Sequence, residues 1–326
     1  MDQLLELRRV AVTFPTRKGP VQALHGIDLG LHPGEVLGLV GESGSGKSVM
    51  ARAILGLLAQ PGRVTAGEIH FDGQDLTRLP AAAMRRIRGT RIAMIFQDPM
   101  ATLNPVLRID EQMMEALFAH DPSMSRDQAR ARCLEVLRQV GIPAPEDRLR
   151  GWPHELSGGM RQRIVIATAL LNRPDLILAD EATTALDVTI QAQILFEMRN
   201  LCRANGTALI WITHDLAVVS GIADRIAVMY AGRIVEQGPA GQVLTDPRHP
   251  YTRGLLDSVP DAATPGTTLT QIPGLMPSPL ALPQGCAFHP RCSRAAADCQ
   301  RETPPETGAG GRLWRCLHPI QQETPA

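Results

Sequence analysis

Val36-Leu-Gly-Leu-Val40 runs directly into Gly41-Glu-Ser-Gly-Ser-Gly-Lys-Ser48, and a helical stretch follows as far as Leu58. An uninterrupted apolar run of this length reads as a strand buried on both faces. The octapeptide after it is G-x-x-x-x-G-K-S in the strand–loop–helix setting that gives the pattern its meaning. Gly41, Gly44 and Gly46 let the backbone curl until successive N–H groups point at one anion. The helix that begins there adds the positive end of its dipole. Lys47 would reach the β- and γ-phosphates of a nucleotide, and the Ser48 hydroxyl would ligate Mg²⁺. Among the 33 basic residues only Lys18 and Lys47 are lysines, which makes a lysine at this position informative.

Such a loop needs a second element to hold the metal and polarise water. Leu176-Ile-Leu-Ala-Asp180-Glu181 is an apolar strand ending in two carboxylates. In a parallel sheet its end falls at the carboxyl edge, where ligands bind. Asp180 suits Mg²⁺ through a water, and Glu181 suits the general base for an attacking water. Further strands are read at Arg91–Phe96, Ala208–Thr213 and Arg225–Tyr230, alternating with helical stretches as in an α/β fold with a covered parallel sheet. Glu6–Phe14 and Val21–Leu31 alternate more strongly and predict an antiparallel β addition. From residue 98 to about 165, helical periodicity over Asp110–His120 and Arg126–Val140, with breaks at Pro143, Pro145 and Pro153, predicts an inserted helical subdomain. Beyond residue 259 the chain turns rich in Pro, Gly and Thr. The expected division is a main domain at 1–259 and an irregular C-terminal extension at 260–326.

An apolar fraction of 44% over 326 residues excludes wholesale disorder and allows one large or two modest domains. The 33 basic and 33 acidic residues cancel, so the charge footprint of a dedicated nucleic-acid binder is missing and no nucleic-acid partner is expected. No apolar run reaches the roughly 18 residues that span a bilayer, and Met1–Val10 lacks the apolar core of a secretion signal. The expected compartment is the cytoplasm.

Further strings add a resemblance. Leu156-Ser-Gly-Gly-Met160 with Arg161-Gln-Arg163 resembles the signature motif of ATP-binding cassette (ABC) ATPases. Gln97 in Ile95-Phe-Gln-Asp-Pro99 resembles their Q-loop, Ala185-Leu-Asp187 their D-loop, and Thr213-His214-Asp215 their switch histidine. The set covers residues 5 to 240 in the family's order. The resemblance implies a P-loop NTPase with a RecA-like parallel-sheet core, an antiparallel β subdomain and a helical subdomain. It implies ATP on Gly41, Ser43, Gly44, Ser45, Gly46, Lys47, Ser48 and Val49, with Mg²⁺ at Ser48, Gln97 and Asp180. Catalysis would rest on Glu181, on His214 against the γ-phosphate, and on Gln97 as the sensor coupled to the helical subdomain. Cassettes of this family pair head to tail. Ser157, Gly158 and Gly159 would therefore meet the γ-phosphate held by the other subunit, and Asp187 would link the two sites. Phe14 is the nearest candidate for stacking adenine, with Arg17 as the alternative. Met160 stands where most of the family has Gln, and Ala182 where it usually has Pro.

Gly41–Ser48, the run Ala-Thr-Thr-Ala-Leu-Asp-Val-Thr-Ile-Gln-Ala-Gln at 182–193, and Arg248-His-Pro-Tyr251-Thr-Arg253 are similar to ATPase subunits of oligopeptide/dipeptide importers. This implies a second, non-identical ABC ATPase in a heterodimer, two integral-membrane permease subunits and, indirectly, an extracytoplasmic substrate-binding protein. The location implied is peripheral, on the cytoplasmic face of the membrane. Nickel, glutathione or another small solute are alternative cargoes. Rival classes are a soluble ABC ATPase of translation or DNA repair, an exporter half, and a nucleotide-gated scaffold without turnover. The single cassette, the short insert at 98–156 and the intact Glu181 and His214 weigh against them. The 248–253 string offers no chemistry by itself and reads as a turn after the cassette.

Four of the six cysteines, Cys286, Cys292, Cys299 and Cys316, crowd the extension at spacings C-x5-C-x6-C-x16-C. None is the tight C-x2–4-C knuckle of a structural zinc site, whereas wider loops can reach the separate irons of a cubane. The pattern also resembles the C-terminal extension of peptide-importer ATPases, some of which bind a [4Fe–4S] cluster. A [4Fe–4S] cluster is therefore expected, with zinc or merely packed thiols as alternatives. It would staple a tail that has little core of its own. Disordering that tail is expected to leave ATP binding nearly intact. Cys133 and Cys202 stand alone on helical stretches and read as core residues.

Overall fold

The computed structural model describes residues 3–183, 187–259 and 271–321. Its strands, in chain order, are β1 (Leu5–Thr16), β2 (Gly19–Leu31), β3 (Val36–Val40), β4 (Arg63–Phe71), β5 (Gln74–Asp75), β6 (Ile92–Ile95), β7 (Leu176–Asp180), β8 (Ala208–Thr213), β9 (Arg225–Tyr230), β10 (Arg233–Pro239), β11 (Thr307–Ala309) and β12 (Arg312–Trp314). The chain divides into two compact units. The first is Met1–Leu31, Leu37–Arg78 and Thr213–Ala326; the second is His32–Val36 and Leu79–Ile212.

In the first unit, β2, β1, β4 and β5 form an antiparallel sheet in that order. This is the β addition expected from the alternation in the first thirty residues, extended by β4, whose Gly-interrupted pattern with only Ile69 and Phe71 buried hides it from sequence. A second run of strands pairs as β11-β12-β10-β9-β3. Strand β3 lies parallel to β9, with Leu37 opposite Arg225 and Val40 opposite Val228. All five β3 residues are buried, as an apolar strand covered on both faces must be. Strand β9 turns back into β10 through Ala231 and Gly232, both at positive φ (45° and 75°), the geometry of a tight hairpin. The extension is less irregular than its composition suggests. Strands β11 and β12 form a small hairpin, and β12 pairs antiparallel with β10, Glu236 facing Trp314.

In the second unit β6, β7 and β8 run parallel, with Ile95 opposite Ala179 and Asp180 opposite Ile212. Every residue of β7 and β8 is buried. Between β6 and β7 the described elements are helical: Pro99–Thr102, Ile109–Phe118, Arg126–Gln139, Pro145–Arg148 and Gly158–Leu170, with one 3-10 turn. The helix at Arg126 is started by Ser125, whose hydroxyl accepts from the Gln128 N–H while the Gln128 side chain accepts from the Ser125 N–H. Cys133 and Cys202 are fully buried, and burial pushes both thiols up to about 12, so they pack rather than react.

Candidate active site

The loop after β3 is shaped by close approach. A Cβ on Gly41 would lie 2.1 Å from the carbonyl oxygen of Met229 on β9, so no other residue fits there. Gly46 sits at φ 107° as the residue before the helix Lys47–Ile54, and no side chain caps that helix. The positive end of that helix's dipole thus falls at the loop, while the Ser45 and Lys47 side chains are buried alongside. The Lys47 ammonium donates to the carbonyls of Gly41 (2.6 Å) and Glu42 (3.0 Å). The side chain of Lys47 thus closes the loop back on its own start in the first unit.

Strand register explains a pairing in the second unit. Ile95 and Ala179 are neighbours across β6 and β7, so the residues two further along, Gln97 and Glu181, leave the sheet at the same edge. Gln97 Nε2 donates to Glu181 Oε2 at 2.9 Å. Glu181 takes up the left-handed backbone (φ 48°), and its N–H donates to the Ile212 carbonyl at 3.0 Å. Asp180, one residue earlier, is buried at the strand end. His214 is exposed and directly follows β8. Asp180 and Ser48 offer the hard oxygen donors that Mg²⁺ prefers.

Ser157 and Gly158 are exposed at the start of the helix Gly158–Leu170. Ser157 Oγ accepts from the Met160 N–H (3.3 Å), a backbone donor, so Met160 in place of Gln leaves this contact intact. A Cβ on Gly159 would press on Ile190 at 3.3 Å. Asp187 is exposed and caps the helix Val188–Asn205 through the Ile190 N–H; Ala185 and Leu186 of the expected D-loop lie outside the described residues. The Phe14 ring rests on Gly62, where an added Cβ would come within 2.2 Å of it, and Arg17 is exposed at the hairpin end.

Residues 24–184 match the family model described as ABC transporter, and residues 235–299 match that of the oligopeptide/dipeptide transporter C-terminal region. The oligopeptide transport ATP-binding protein OppD of Escherichia coli is 48% identical over 98% of this chain and 95% of its own length. The chain belongs to the ABC transporter family. The dipeptide transport ATP-binding protein DppD of Bacillus subtilis is 49% identical, covering 94% of this chain and 92% of its own. Among solved structures, the dimeric ATP-binding cassette MJ0796, in a post-hydrolysis state bound to ADP and Pi, superposes with a TM-score of 0.65 at 30% identity, over 72% of this chain and 98% of that one. The fold is that of an ABC ATPase, and among the described residues no helix is long and apolar enough to cross a membrane.

In this ABC ATPase the 248–253 string, opaque from sequence, is a socket for the extension. The N–H groups of Arg248 and His249 donate to the two carboxylate oxygens of Glu236 on β10 (2.8 and 2.9 Å), and Arg312 of β12 donates to the same carboxylate at 2.8 Å. Glu236 is completely buried. His249 accepts from the Tyr251 N–H through Nδ1 (3.0 Å), and burial pushes its pKa down to about 3, so the ring is neutral. Tyr251 Oη accepts from the Glu42 N–H at 2.8 Å, and Arg291 from the extension grips the Glu42 carboxylate with both terminal nitrogens, at 2.6 and 2.9 Å. Glu42, Glu236, Arg291 and Arg312 carry no role in the sequence reading, and Tyr251 enters it only as part of the 248–253 string. The available signal was an acid, Glu236, directly after the β-branched pair Ile234-Val235.

The four clustered cysteines line one small pocket together with His249, Phe288, His289 and His318. Burial, and then the proximity of their neighbours' sulfurs, raises the thiols of Cys286 and Cys292, and pushes Cys316 up to about 11. Four thiols converging on one pocket suit a polynuclear cation that holds them as thiolates. Tetrahedral zinc on four sulfurs would need them about 3.8 Å apart, from Zn–S bonds of about 2.3 Å. Among the described residues, the group whose ligand atoms lie within 4.8 Å of one another is instead Asp298, Cys299 and His318, two of them oxygen and nitrogen donors.

Proposed function

We propose that this ABC ATPase is the ATP-hydrolysing subunit of an importer of di- and oligopeptides, acting on the cytoplasmic face of the cell membrane. The observation that carries the proposal is the joint presence of the cassette and the oligopeptide/dipeptide C-terminal region, at 48% identity to OppD over nearly the full chain. Partner ABC permeases are supported by a groove in the second unit between β6 and the helices after it, lined by Leu103, Leu107, Ala116 and His120, beside the exposed Phe96, Met100 and Val106. A non-identical second ATPase and an extracytoplasmic substrate-binding protein complete the assembly we propose.

To the site residues we assign the following roles. The Gly41–Val49 backbone and Lys47 bind the phosphates of ATP. Ser48, Gln97 and Asp180 would hold Mg²⁺, which neutralises phosphate charge. Glu181 takes the proton of the attacking water, with Gln97 Nε2 orienting its carboxylate, and His214 contacts the γ-phosphate. Ser157, Gly158, Gly159 and Asp187 serve the site of the facing subunit, and Phe14 or Arg17 stacks on adenine. Glu181→Gln should still bind ATP yet lose about 10²-fold or more in turnover, since proton transfer is worth roughly that much. Undiminished ATPase activity in that variant would remove Glu181 from its role.

Cys286, Cys292, Cys299 and Cys316 would hold a [4Fe–4S] cluster, whose ligand bonds cross-link a tail poor in apolar area. Anaerobically purified protein should then be brown and contain about four irons and four sulfides per chain. Stoichiometric zinc without iron would favour the mononuclear group Asp298, Cys299 and His318.

A further inference from the structure

Glu42 is the second residue of the phosphate loop, and phosphate binding gives no reason for an acid there. A carboxylate beside a bound triphosphate repels it. Yet every polar group of Glu42 is engaged within the first unit. Its N–H donates to Tyr251 Oη (2.8 Å), and its carbonyl accepts from the Ser45 N–H (3.2 Å) and from Lys47 (3.0 Å). Its carboxylate is held in a two-pronged pair by Arg291. Arg291 is itself anchored. Its side chain is 5% exposed, Nε donates to the Pro273 carbonyl at 2.8 Å, and the guanidinium lies 5.8 Å from the centre of the Tyr230 ring. With its nitrogens committed in this way, Arg291 is arranged to hold Glu42 and not to reach for a phosphate.

We infer that Arg291 is a positioning residue for nucleotide binding: it cancels the charge of Glu42 and fastens the phosphate loop to the C-terminal extension, so that ATP affinity depends on residues far beyond the cassette. Arg291 ends the 3-10 turn His289–Arg291, between Cys286 and Cys292. The His289 N–H donates to the Cys286 carbonyl (3.0 Å) and the Cys292 N–H to the His289 carbonyl (3.2 Å), so the clamp is built into the cysteine-bearing segment. This replaces the sequence-based expectation that a disordered tail would leave ATP binding intact.

The inference rests on the reading of Gly41–Ser48 as the nucleotide site, and full-length variants separate the two. Binding of a fluorescent ATP analogue is titrated alongside thermal melting. Arg291→Ala should weaken ATP binding on the order of tenfold, the size expected for one unscreened charge near the phosphates, and should weaken AMP binding less. Arg291→Lys, which keeps the charge and loses the fork, should fall between. Glu42→Gln placed in the Arg291→Ala background should recover most of the lost affinity. Arg291→Ala and Arg291→Lys that melt normally and bind ATP like the parent would overturn the inference, as would a double variant that melts normally but recovers nothing. If Lys47→Ala leaves binding unchanged, the reading of the loop itself falls.

Discussion

At Glu181 the chain passes through the left-handed backbone region, which costs a residue with a side chain about 1 kcal/mol or more. The surrounding strands over-determine it: β7 delivers it, and the bond from its N–H to Ile212 holds the turn. A second residue under constraint is His249, wholly buried and neutral. Because its folded pKa lies near 3, below its ordinary 6.5, the unfolded chain binds the extra proton first. Its contribution is fully present above about pH 6.5 and is lost as pH falls from there towards 3. Between pH 7 and pH 5 this amounts to about 2 kcal/mol, so the melting temperature should drop on acidification more steeply in the parent than in His249→Asn. Equal slopes would show that the ring is not the sensitive group. As candidates, Asp180, Glu181 and Lys47 are marked in the sequence by their offset from an apolar strand, and Gln97 by its resemblance to a Q-loop. The direct Gln97–Glu181 bond was not, because it depends on the register of β6 against β7.

At the level of elements, β12 is three residues long and would count for little by area. Its weight comes from Arg312, which completes the coordination of the buried Glu236 carboxylate on β10. Removing one partner of a buried pair leaves the other charge uncompensated. Arg312→Ala should therefore destabilise the fold by about 3 kcal/mol in denaturant titration, and pairing Arg312→Met with Glu236→Gln should return most of that. A loss below about 1 kcal/mol would mean that solvent reaches Glu236. Strands β3, β7, β8 and β9 were readable as apolar runs, whereas β10 and β12 were not. β10 carries Glu236 and Gln237 in mid-strand, and β12 borrows its place from the edge of β10 and not from a pattern of its own.

For the whole molecule, the division at residue 259 marks a change in composition and not a point where the chain can be cut freely. Truncation after Val259 deletes both Arg291 and Arg312. The shortened protein should melt well below the parent and bind ATP at least as weakly as Arg291→Ala; parental melting and affinity would refute both contacts together. Neither contact could be foreseen from local sequence, because ion pairs between residues 249 and 76 positions apart leave no periodicity to read. The same separation bears on how the protein is made. Domains ordinarily close in order as they leave the ribosome. Here the loop that emerges at residue 42 waits for residue 291 before its acid is answered, and β10 waits for residue 312. A nascent chain that stalls or terminates early thus lacks the fastening of its own nucleotide loop, and an unfinished copy should hold ATP more loosely than a finished one.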